Sequence, residues 1–172
     1  MHPVRTLTIV ASLIVGMAVS FVSPEIGMTL SLLGIAVTEN QRREQSAGKH
    51  RGEVPLAAGT NAYGMTFLYT NAAGYGVGTP VAGSRFLGVV VDQVDNTTGA
   101  DGDLYCETIE DGKVLVEFDA ADLTQADLGV LAYGLHNNGM TKTVAPTTPR
   151  CGKISKIVSA NLAWVSLEPF TD

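Results

Sequence analysis

FLGVVVDQVDNTTGADGDLYCETIEDGKVLVEF, residues Phe86 to Phe118, decides the fold class, because it reads as three β-strands joined by two polar turns. Phe86 to Val91 is a short apolar run rich in β-branched residues, and Leu104 to Ile109 alternates between two faces. Lys113 to Phe118 sets Val114, Val116 and Phe118 on one side and Leu115 and Glu117 on the other, the period of a half-buried strand. Between the second and third strands, Glu110-Asp111-Gly112-Lys113 carries the Asp-Gly pair that favours the positive φ angles of a type I′ turn. A tight hairpin is expected there.

Both flanks continue in the same style. Upstream, Met65 to Thr70 is a candidate strand, Asn71 to Gly74 a turn and Tyr75 to Gly78 a return strand, followed by a loop with Pro80 and Gly83. Downstream, Asp119 to Gly129 holds one short helical turn, with Thr124 and Asp127 as its N-terminal cap pair and Gly129 as its stop. Val130 to His136 and Met140 to Val144 flank Asn137-Asn138-Gly139, a hairpin of the Asn-Gly kind, and Pro146 and Pro149 then interrupt the pattern. Ile154 to Ser159 and Leu162 to Leu167 make a last hairpin, with Leu162, Trp164 and Ser166 on one face. The expectation is a mainly β domain over residues 54–172: a small antiparallel barrel or sandwich built of hairpins, with one short helical turn.

The first part of the chain is a different material. Thr6 to Val22 follows Arg5 without a charge and reads as a signal-peptide core or a minimal transmembrane helix, and Ala18-Val19-Ser20 resembles a small-residue cleavage site. After Pro24 and Glu25, Ile26 to Val37 is a second apolar run, too short to span a bilayer alone. Residues 1–38 are therefore expected to form an apolar, helical segment with three candidate roles: a membrane anchor contacting lipid through residues 6–37, a docking arm on another protein subunit, or an upstream extension from a misassigned start. Either of the first two gives this apolar surface a partner. Residues 39–53 turn abruptly polar and read as a linker, whose Arg42, Arg43, Lys49 and Arg51 are candidate contacts for an acidic surface, lipid headgroups or a neighbouring subunit.

The charge pattern narrows the chemistry. A net charge of −6 with only 16% charged residues argues against nucleic acid as a partner, since phosphate binding needs clustered Lys and Arg. Eleven acidic residues lie between Asp92 and Asp127 against the single base Lys113, making a negative patch from which Asp101, Asp103 and Asp111 are candidate partner contacts. Asp95 to Asp103 supplies oxygen ligands at the spacing of a calcium loop. It lacks the EF-hand order and the nonapeptide repeat, so an ordinary hairpin loop is the preferred reading. His2, His50 and His136 accompany no nucleophile motif, and Gly74-Tyr75-Gly76-Val77-Gly78 lacks the ending of a phosphate loop. Cys106 and Cys151 read as buried thiols, able to bridge only if their strands are neighbours. No catalytic set, cofactor or metal is expected, and the chain is read as a non-enzyme.

Val54-Pro55-Leu56-Ala57-Ala58-Gly59-Thr60, Arg85-Phe86-Leu87-Gly88-Val89, Asp111-Gly112-Lys113-Val114, Asp122 to Gly129 (DLTQADLG) and Cys151-Gly152-Lys153-Ile154 occur in an informative order. Over residues 54–170 this order resembles the head decoration, or capsid cement, proteins of tailed bacteriophages. The resemblance implies assembly in the host cytoplasm onto the outer capsid surface of a virion. There a homo-trimer or other small homo-oligomer braces the major capsid protein and performs no chemistry. Met1 to Val37 departs from that pattern, since typical members carry a short polar or extended arm. The alternative reading is a membrane-tethered β-domain that binds partners through its acidic surface.

Overall fold

The computed structural model describes residues 38, 40, 45–46, 51–119 and 122–168. Strands β1 (Gln45–Ser46), β2 (Arg51–Pro55), β3 (Thr60–Ala62), β4 (Phe67–Thr70), β5 (Gly76–Val77), β6 (Phe86–Val90), β7 (Val94–Asn96) and β8 (Tyr105–Ile109) come first. They are followed by β9 (Gly112–Phe118), a 3₁₀ turn (Gln125–Asp127), β10 (Leu131–Gly134), β11 (Gly139–Thr141), β12 (Arg150–Ser159) and β13 (Leu162–Leu167). The chain is mainly β, as expected, and the 3₁₀ turn is the one helical element among the described residues.

Five strands close into a barrel. β9 runs antiparallel to β13, β13 to β12, β12 to β10 and β10 to β11, and β11 returns parallel to β9 through Gly139↔Glu117 and Met140↔Phe118. Because that last pairing uses only the C-terminal end of β9, its N-terminal end on the same edge is open for β1, which pairs Gln45↔Val114 and Ser46↔Lys113. A second sheet has the order β2-β8-β6-β4-β5. Just past β2, Leu56 bridges Gly76 in parallel, and Ala57 N–H donates to the Gly76 carbonyl at 3.0 Å, so this sheet curls toward closure as well. β3 and β7 form a separate two-stranded ribbon.

One core joins the barrel to the second sheet. Val114, Val116 and Phe118 from β9, together with Ala163, Val165 and Leu167 from β13, pack against Phe67 and Tyr69 of β4 and Phe86 and Val89 of β6. A smaller cluster on the other face of the second sheet holds Val54, Leu56, Leu68, Val90 and Cys106. β4 and β6 are thus buried on both faces, which is why their sequences are continuous apolar runs and not alternating ones. In β6 the parity reverses at Gly88: Phe86 and Val89 face the large core while Leu87 and Val90 face the small one. Gly88 makes this possible, with φ at 127° and the Ile109 carbonyl oxygen 2.6 Å from where a Cβ would stand.

Three expectations are corrected. The Asp-Gly segment is a corner between sheets and not a type I′ hairpin: β8 pairs with β2 and β6, and β9 with β13, β11 and β1. Gly112 has φ at 98° but Asp111 does not have positive φ, whereas a type I′ turn needs it at both central residues. Second, the segment read as a tether ends in structure, because Arg51–Pro55 forms five register pairs with Tyr105–Ile109. Third, β7 interrupts what was read as a single loop after the first strand, because Asn96 turns inward. The closing hairpin is as expected, and Leu162, Trp164 and Ser166 do share a face. It is the outer one, since Ala163, Val165 and Leu167 fill the barrel.

Candidate partner-binding surface

The loop from β7 to β8 shows how the acidic residues are used. Asp95 Oδ1 accepts the Thr97 N–H at 2.9 Å, Asp101 Oδ1 the Ala58 N–H at 2.7 Å, and Asp103 Oδ2 the Ala100 N–H at 2.7 Å. Bonds from Thr97, side chain and backbone, hold the Asp95 carboxyl below its ordinary range. Under the loop, fully buried Asn96 donates through Nδ2 to the carbonyls of Ala100 at 2.9 Å, Ala57 at 3.1 Å and Leu56 at 3.4 Å. The carboxylates thus fix backbone turns. Among the described residues no group of three or more His, Cys, Asp or Glu side chains is placed to hold a metal ion.

The other candidate contacts are dispersed. Arg51 lies exposed on β2 and donates to Glu107 Oε1 at 2.7 Å, so its charge is partly balanced within the domain. Asp101 and Asp103 remain exposed on their loop, and Asp111 is half-buried at the corner before β9. Arg42, Arg43 and Lys49 lie outside the described residues, as does residues 6–37, the expected membrane contact. Among the described residues no helix is long and apolar enough to cross a membrane.

A second polar assembly braces the 3₁₀ turn. Asp127 Oδ2 accepts the Thr124 N–H at 2.7 Å, as the cap pair in the sequence predicts. Lys142 reaches Asp127 at 3.2 Å and Asp122 at 3.3 Å. The Thr124 backbone bond, aided by Lys142, holds the Asp127 carboxyl below its ordinary value. Near β12, Glu168 joins Arg150 and Lys153, and these partners hold its carboxyl down, led by the Lys153 bond.

The thiols and the histidine at the β10–β11 turn are buried. Cys106 and Cys151 are free and buried, on strands of different sheets. Burial, with Glu107 and Asp92 nearby, pushes the Cys106 thiol up to about 11, and burial raises Cys151 further. His136 is buried at the β10–β11 turn, where its Nδ1 accepts the Asn138 N–H at 3.1 Å and its carbonyl accepts the Tyr69 hydroxyl at 2.9 Å.

One surface escaped sequence reasoning. The β5–β6 loop, from the second sheet, and the β11–β12 loop, from the barrel, meet through the Gly83 N–H and the Pro146 carbonyl at 3.3 Å. Val81 and Val144 at their tips are 44% and 69% exposed, and no charged residue occurs in 74–84 or 143–149. Both tips are internally braced. Ser84 Oγ accepts the Val81 N–H at 2.7 Å and donates to the Thr70 carbonyl at 2.6 Å, and Thr148 Oγ1 accepts the Ala145 N–H at 2.7 Å. Each loop reads as an ordinary turn when taken alone; only the fold puts them side by side. Comparison of the chain with family models, with curated proteins and with solved structures finds no match in any of the three.

Proposed function

We propose that this chain is a structural virion protein of the capsid decoration, or cement, kind, which binds the outer face of a capsid lattice and braces the major capsid protein. The observation that carries the reading is the way polar side chains of the loops are used. Asp95, Asp103, Ser84 and Thr148 lock their own loops and Asp101 ties its loop to Ala58 after β2, so the domain offers rigid, shaped surfaces of the sort that bind a lattice without rearranging. The ordered motifs over residues 54–170 support the same reading. Arg51, Asp101, Asp103 and Asp111, with Arg42, Arg43 and Lys49 from the linker, are its proposed lattice contacts.

The test is a comparison of particles with and without the protein. Stripped particles should release their contents at a lower temperature than complete ones, and re-addition of the purified protein should restore the midpoint. Equal midpoints with and without it would refute the bracing role.

A further inference from the structure

We propose that the paired loop tips, residues 79–83 and 143–147, form a contact with the same tips of a second copy of this chain. Val81 and Val144 expose apolar side chains on a patch with no charge of its own. The basic side chains that flank the β11–β12 loop are engaged in ion pairs, Lys142 with Asp122 and Asp127, and Arg150 with Glu168, and exposed Arg85 borders the β5–β6 loop at its base. Depletion of charge around exposed aliphatic groups is the composition of an interface centre. Because Ser84 and Thr148 already hold the tips in shape, little conformational freedom is lost when they dock.

Electrostatics selects the occupant. With a net charge of −6, two copies repel each other over most approaches, and contact is least opposed where both faces are neutral. The tip patch meets that condition against itself, and self-matching of one patch is what a two-fold contact requires. The patch is small beside the roughly 1,200 Å² or more that a stable complex buries, so the contact is weak in dilute solution and strengthens wherever copies are concentrated together. The contact does not depend on capsid binding. A protein that self-associates through its tips and ignores capsids would remove the reading above and leave this contact standing.

Cross-linking of the full-length protein tests it. Val144→Cys places a thiol at the tip, Val158→Cys places one on the exposed part of β12, where Val158 is 49% exposed, and the native thiols are buried in both. Under mild oxidation Val144→Cys should form a covalent dimer faster than Val158→Cys by about tenfold, the advantage of a pre-aligned pair over random encounter. Association through residues 1–37 is separated by the Val81→Asp variant below, which alters the tip and leaves those residues intact. Adding Val81→Asp to Val144→Cys should return the rate to that of Val158→Cys, with the circular dichroism spectrum unchanged. Equal rates for the two cysteine variants, or an undiminished rate with Val81→Asp, would overturn the contact.

Discussion

Asn96 has more influence on its loop than any of the acids that surround it. Its amide joins the carbonyls that follow β2 to one in the β7–β8 loop, while its Oδ1 is buried without a hydrogen-bond partner. Asn96→Ala removes three donated contacts, while the Leu56 and Ala57 carbonyls keep N–H donors from Gly102 and Thr60, so it should lower stability by about 1 kcal/mol in urea unfolding. A loss below about 0.5 kcal/mol would show that the loop holds without it. Nothing in the string DNTTGADGD singles out Asn96, since every residue in it suits a turn. The acidic character of the site was legible, but which side chain turns inward depends on the β3 ribbon, whose partner lies more than thirty residues away (Thr60↔Asn96).

The element that ties the two sheets together is β4. Its Phe67 and Tyr69 rings meet Phe86 with centroids 6.0 and 5.9 Å apart, Leu68 faces the small cluster, and the Tyr69 hydroxyl crosses to the His136 carbonyl on the barrel. Tyr69→Phe keeps the ring packing and removes the hydroxyl that makes the crossing bond, so it should cost about 1 kcal/mol in denaturant unfolding. An unchanged midpoint would remove the bond from the account of how the sheets hold together. Strands such as β9 and β13 were legible because one face of each meets the core and the other meets solvent. β2 and β3 were not, since RGEVP and TNA carry too few apolar residues to show a period. The Asp-Gly turn misled for a related reason: turn chemistry describes four residues, whereas the choice of partner for β8 and β9 was made by strands far away in sequence.

Across the whole molecule, acid should be the effective denaturant. Asp127 and Glu168 both have carboxyls held below their ordinary values of 3.8 and 4.5, so their contribution is complete above those values and is lost as pH falls through the lower folded ones. Thermal midpoints should therefore be level near neutrality and drop steadily below pH about 4, and Asp127→Asn should flatten that drop. A variant that follows the wild-type curve below pH 4 would exclude Asp127 as a source of the acid sensitivity. This pairing was only half legible: the Thr124 and Asp127 box is written within one turn of chain, but Lys142 arrives from just past β11.

The closure of the barrel also sets an order in time. β9 is flanked by β11 and β13, and β13 is made some fifty residues after β9 on the ribosome, Trp164 opposite Leu115. Until Leu167 has been synthesised, Val114 and Val116 lack their β13 cover, although β1 and the Phe67, Tyr69, Phe86 and Val89 side chains of the second sheet are already made. The nascent chain therefore carries these side chains partly uncovered for some fifty residues of synthesis, and completion of the barrel core waits on a long-range pairing.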